Sequence, residues 1–180
     1  KFVDKVIVVN DASIDNTSLV ARRSGCCVID LPSNRGAGFA TRSGCEHALS
    51  LGAEVIVTID ADGQHNPEDV PLLLEPIFKK EAEITFGIRR RNDKMPLVKK
   101  IANAVLYFIS KLIFGSNIKD SLTGFHAFTV KCYRNLSLES CGYEVVVEFV
   151  YKTVKNKLKY KEVVVETIYN NKEGGMNKRH

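Results

Sequence analysis

The chain has 180 residues, 44% of them hydrophobic and 26% charged, with a formal net charge of +5. That is room for roughly one domain with a real core, which excludes wholesale disorder, and no run of about 18 apolar residues exists to cross a bilayer as a helix. The excess of basic residues is mild and points to an anionic partner without naming one.

Val6-Ile7-Val8-Val9 is a short β-branched run that predicts a strand buried in a parallel sheet. Polar residues from Asn10 to Thr17 follow, then a helical segment that Gly25 can close. Cys26-Cys27-Val28-Ile29 predicts a second strand, Ala37 to Ser50 a helix, and Val55-Ile56-Val57-Thr58-Ile59 a third strand. Asn66-Pro67-Glu68-Asp69 is a strong helix start, with a capping residue, a first-turn proline and acids facing the positive dipole end. Ile84-Thr85-Phe86 predicts a fourth strand. Helices are expected over 97–114 and 143–156, and a late strand over 161–169. This alternation predicts an α/β protein built on a mostly parallel twisted sheet, in which ligands sit beyond the carboxyl ends of strands.

Two strands end in acids. The first gives Asn10-Asp11, and the third gives Asp60-Ala61-Asp62-Gly63-Gln64. Carboxylates one residue apart can aim oxygens at one point, as hard divalent cations require, and Gln64 adds a neutral oxygen. Alone, this pattern is also what a solvated acidic turn produces. Asn34-Arg35-Gly36-Ala37-Gly38 precedes a helix, where glycines let backbone amides approach an anion. A dinucleotide fingerprint would need its glycines directly after the first strand, where acids stand instead, so a dehydrogenase is disfavoured. Gly87-Ile88-Arg89-Arg90-Arg91 follows the fourth strand and offers guanidinium forks to phosphate oxygens; a solvated basic loop is the alternative, chiefly for Arg90 and Arg91. The five cysteines form no Cys-x-x-Cys pair, which indicates neither a zinc site nor a disulfide framework and fits a reducing compartment.

Taken in order, these stretches resemble the family-2 glycosyltransferases of GT-A fold, in the branch of dolichyl- or polyprenyl-phosphate sugar synthases. Residues 8–17 are similar to the family's first nucleotide loop and residues 34–40 to its second. Asp60 to Glu68 resembles its metal motif, Gly87-Ile88-Arg89 its Gly-Ser-Arg, and Asp120-Ser121-Leu122-Thr123-Gly124-Phe125 its acceptor-side loop. The resemblance implies helices on both faces of the sheet. It also implies a nucleotide-sugar donor of GDP-mannose or UDP-glucose type, a polyprenyl or dolichyl phosphate acceptor, Mg²⁺ or Mn²⁺, and inversion at the sugar. It implies Asp11 at the base, Asp60 and Ala61 near ribose and metal, and Asp60, Asp62 and Gln64 as the metal's oxygen donors. Arg89 would meet phosphate, and Asp62, Arg89 and Asp120 would form the reacting centre. Glu148 and Asp120 would flank the acceptor, with Lys172 and Lys178 matching a phosphate-binding tail.

The sequence departs from the family at Ile88 for Ser, His126 for Arg, Lys172 for Arg and Asn177 for Ser. It also starts after the family's opening strand, so a single domain over 1–180, lacking that strand, is expected. The chain has no tryptophan, which disfavours the polymerising branch with its Gln-x-x-Arg-Trp motif. A phosphate acceptor is already ionised and needs no strong general base, whereas a hydroxyl acceptor would want one. A hydroxyl-acceptor transferase and a non-catalytic nucleotide-sugar-binding module are the alternatives.

Over 97–114, Lys99, Lys100, Asn103, Ser110 and Lys111 fall within about 120° of one another on a helix that is otherwise mostly apolar. That suits a helix lying in a membrane interface, and equally a core helix with one wet face. A protein peripheral on the cytoplasmic face of a membrane is expected. No aromatic-interleaved basic surface suggests nucleic acid.

Overall fold

The computed structural model describes residues 2–89, 118 and 123–168. The helix expected over 97–114, Arg90, Arg91, Asp120, Lys172 and Lys178 lie outside the described residues.

The chain order is β1 (Ile7–Asn10), α1 (Thr17–Arg23), β2 (Cys27–Asp30), α2 (Ala37–Ser50) and β3 (Val55–Thr58). A 3-10 turn, Pro67–Asp69, leads into α3 (Val70–Phe78), then β4 (Ile84–Arg89) and β5 (His126–Thr129). The helices α4 (Val130–Leu136) and α5 (Val145–Lys155) and the strand β6 (Tyr160–Val165) complete it. Asn66 starts the third helical segment as its chemistry predicts, its side chain accepting from the Glu68 N–H at 3.1 Å.

The strands β1 and β2 pair in parallel, and a separate sheet runs β3-β5-β4-β6. In this sheet β4 and β6 are parallel, while β5 runs antiparallel to both β3 and β4. The expectation of a mostly parallel sheet therefore holds for β1/β2 and β4/β6 and gives way at the centre. The cause is β5, which the sequence reading passes over: His126-Ala127-Phe128-Thr129 lacks a β-branched run, so its strand character comes from its neighbours. The fourth strand is also longer than expected, because Gly87 to Arg89 continue the ladder opposite Val163 to Val165.

Both faces of the four-stranded sheet are covered. Ile56, Ile84, Phe86 and Phe128 form one core with α2, α4 and α5. Ala127 and Val165 turn to the other face and meet Leu73, Leu74 and Ile77 of α3. Alternation along β4 is strict there, since Thr85 points to the α3 side and donates its hydroxyl to the Leu73 carbonyl at 2.9 Å. Burying these side chains supplies most of the driving force, at about 1.5–3 kcal/mol for each large apolar residue. Among the described residues β1 and β3 each pair along one edge, and α2 packs against both. No helix among them is long and apolar enough to cross a membrane.

Candidate functional site

The loops after β1 and β3 carry the acids. Asp11 accepts the Arg35 N–H on Oδ1 at 2.7 Å and the Gly36 N–H on Oδ2 at 2.8 Å. The anion approached by the amides of the second loop is thus this protein's own carboxylate. Further along, the Gly38 N–H donates to the Gly142 carbonyl at 3.1 Å and the Phe39 N–H to the Cys141 carbonyl at 3.0 Å. The first turn of α2 therefore spends these amides on the 139–142 loop rather than presenting them as a phosphate cradle, a correction to what its glycines suggest. The glycines serve the contact itself: a Cβ on Gly38 would stand 2.9 Å from the backbone carbons of both Ser140 and Cys141. Gly38→Ala would gain up to about 1 kcal/mol in helix propensity against roughly 1–3 kcal/mol of overpacking. Net destabilisation is expected, read as a lower urea midpoint.

Asp60 stands two residues past the end of β3. Its residue keeps an exposed side, yet the protein crowds its carboxyl. That desolvation raises its pKa above the ordinary 3.8; the charge of His65 lowers it and that of Asp62 raises it. Asp62 is exposed and accepts the Gln64 N–H at 2.9 Å, which folds the acid loop back on itself. Behind them His65 is buried, its ring 5.1 Å from that of Phe125. Residues just past β6 fasten the same loop: the Ile168 N–H donates to the Gln64 carbonyl at 2.9 Å, and the Glu166 N–H to Asp69 at 2.7 Å. The strand expected to run to residue 169 thus leaves its sheet after Val165 and bridges to His65 through Thr167.

Residues 123–125 come to the same place. Gly124 lies against Asp60 so closely that a Cβ there would stand 2.5 Å from Oδ1 and 2.6 Å from Cγ. Its carbonyl is fixed by the Thr58 hydroxyl at 3.1 Å. Beside Asp60 opens a cleft of 490 Å³, walled by Thr58, Gly124, Tyr143, Val146 and Phe149. An open groove of 390 Å³ against Phe2, Pro71 and Phe78 on α3 is lined by none of the acids of these loops.

Among the described residues no group of three or more His, Cys, Asp or Glu side chains is placed to hold a metal unaided. Asp60 and Asp62, whose charge acts on Asp60, are hard carboxylates of the kind that fit a divalent cation completed by phosphate and water oxygens. Arg89 ends β4 opposite Val165.

Glu148 is engaged by the protein itself. Its side chain is 9% exposed, and its oxygens accept the Glu139 and Ser140 N–H groups, both at 2.9 Å, with the Lys152 ammonium at 2.8 Å. The carboxylate faces the 139–140 backbone. The sequence does hold a signal for this, Glu148 and Lys152 being four apart on one helix. Burial alone would raise the Glu148 pKa, but Lys152 and the two amides outweigh it and hold the carboxyl at about 2, against the ordinary 4.5. A depressed carboxyl stabilises the fold above its unfolded pKa, and that contribution fades as pH falls toward 2. The stability difference between wild type and Glu148→Gln is expected to be roughly 2–3 kcal/mol near neutral pH and to vanish between about pH 5 and pH 2, as urea melts would read.

The chain is similar to several known proteins. A protein of Methanocaldococcus jannaschii without assigned function is 38% identical over 91% of this chain and 70% of its own. A UDP-N-acetylglucosamine–dolichyl-phosphate N-acetylglucosaminyltransferase of Methanococcus voltae is 35% identical over 92% of this chain and 75% of its own. Among solved structures, glucosyl-3-phosphoglycerate synthase of Mycobacterium tuberculosis superimposes with a TM-score of 0.73 at 22% identity, over 94% of this chain and 62% of that one. It bears out the GT-A-like α/β architecture, and it has also been solved with Mn²⁺ and UDP-glucose. Residues 2–140 match the profile of glycosyl transferase family 2, and the chain belongs to that family of glycosyltransferases.

Proposed function

We propose that this chain transfers a sugar from a nucleoside diphosphate sugar to a polyprenyl or dolichyl phosphate, inverting the anomeric centre and using Mg²⁺ or Mn²⁺. The observation that carries the reading is one cleft lined by Asp60 after β3, by Gly124 packed against it, and by Ala37 and Thr41 of α2, with Asp11 bonded to the turn just before that helix. In this reading Asp60, Asp62 and Gln64 supply oxygens to the metal, which as a Lewis acid offsets charge building on the departing diphosphate. Asp11 and the Arg35–Gly36 turn form one wall of the nucleotide pocket, with Asp60 and Ala61 on the ribose side.

Arg89 and Asp120 belong to the phosphate and acceptor side, with Lys172 and Lys178 as further phosphate partners. Ile168, bonded to the acid loop, stands four residues before Lys172, a span of at most about 14 Å of extended chain. The name of the Methanococcus voltae relative, which includes a dolichyl phosphate, supports the acceptor. The lysine stripe and apolar remainder over 97–114 support a peripheral position on the cytoplasmic face of a membrane. The domain proposed is a single one over 1–180, supported by α2 packing against both β1 and β3.

The test supplies GDP-mannose, UDP-glucose or UDP-N-acetylglucosamine with dolichyl phosphate and Mn²⁺. The expected product is a lipid-phosphate-linked sugar cleaved by mild acid. A product on a hydroxyl would move the acceptor assignment, and metal-dependent binding without turnover would leave a binding module.

A further inference from the structure

Glu148 sits on α5 with its carboxylate taken up by the protein, and the loop it holds has a second contact. The Glu139 and Ser140 N–H groups both donate to it, and Lys152 joins it from the next turn while also reaching the Ser137 carbonyl and, at 3.1 Å, Glu139. Arg42 of α2 adds a bond to the Leu138 carbonyl at 3.3 Å. One residue past the anchored amides, the carbonyls of Cys141 and Gly142 receive the Phe39 and Gly38 N–H groups. Immediately before these stand Arg35 and Gly36, whose N–H groups hold both oxygens of Asp11. Hydrogen bonds joined by short stretches of backbone thus lead from a carboxylate on α5 to Asp11.

We infer that Glu148 is a positioning residue for the nucleotide-sugar donor: by fixing the 139–142 loop it fixes the first turn of α2 and, through Arg35 and Gly36, the place of Asp11. The carboxylate suits this task because two convergent N–H groups need two acceptor oxygens. Glutamine keeps the size but turns an NH₂ toward one amide and gives up the charge paired with Lys152. The inference rests on the donor-site reading above, so its test has one readout that needs no donor.

Backbone hydrogen exchange in Glu148→Gln should quicken at Glu139 and Ser140 and also at Gly38 and Phe39, which the side chain does not touch. In calorimetry with UDP or GDP and Mn²⁺, the same variant should bind about tenfold more weakly. Val150→Ala, a core truncation on the same helix, serves as the stability control. It should lower the melting temperature yet leave affinity within about twofold of wild type and exchange at Gly38 and Phe39 unchanged. Lys152→Met carries the same measurements should Glu148→Gln not fold.

Unchanged exchange at Gly38 and Phe39 would overturn the relay, as would equal losses of affinity in the Val150 control. Wild-type protein that binds neither UDP nor GDP would instead remove the donor-site reading, with the exchange result still deciding the relay.

Discussion

Asp62→Ala is expected to lower turnover by about a thousandfold while leaving the fold intact. The side chain is exposed, and its recorded bond is to the Gln64 N–H two residues away, so its loss costs about 1 kcal/mol of stability. Its chemical role is far larger in the proposed reaction. A thousandfold corresponds to about 4 kcal/mol of transition-state stabilisation, the order expected of one oxygen donor to a metal that takes up diphosphate charge. Turnover with a nucleotide sugar, beside a thermal melt, checks both halves. Full activity in a folded Asp62→Ala protein would remove this loop from the chemistry.

Gly124→Ala should cost about a hundredfold in kcat with a stability change below about 1 kcal/mol. The added methyl would overlap the Asp60 carboxylate, and one of the two must move. Position 124 has little room to retreat. Its carbonyl is held by Thr58, the next residue, Phe125, is fully buried, and the Phe125 carbonyl accepts the Gly87 N–H at 2.9 Å. Asp60 has an open side, so it yields at small energetic expense and leaves the position from which it serves the site. The concentration of Mn²⁺ giving half-maximal rate should rise together with the fall in kcat. An unchanged rate would mean that the place of Asp60 is immaterial.

Local pattern revealed much of this molecule. Apolar β-branched runs mark β1 and β3, the Asn66-Pro67 start marks the turn into α3, and the spacing of Asp60, Asp62 and Gln64 marks the acid loop. Those features are settled within a few residues. Three others rest on partners distant in sequence and leave no local trace. The strand β5 exists because β3 and β4 offer it two edges, the Gly36 and Gly38 amides are claimed by Asp11 and a loop beyond residue 138, and Gly124 is required by a carboxylate after β3. Glu148 shows the same limit from the other side. The arrival of the Glu139 and Ser140 amides at its carboxylate depends on how the preceding loop folds back, which the residue type alone does not reveal.

The fastening of the acid loop by residues just past β6 also sets a timetable. Asn66 and Asp69 find Glu166 100 and 97 residues later in the chain, and Gln64 bonds Ile168. During synthesis these loop residues leave the ribosome long before their partners do, at about 5–20 residues per second. The sheet edge at β3 and the helix α2 can be in place while the acid loop still lacks its closing contacts. The acid loop is therefore among the last parts of the domain to take shape, and a chain that ends before Glu166 lacks the contacts that close it.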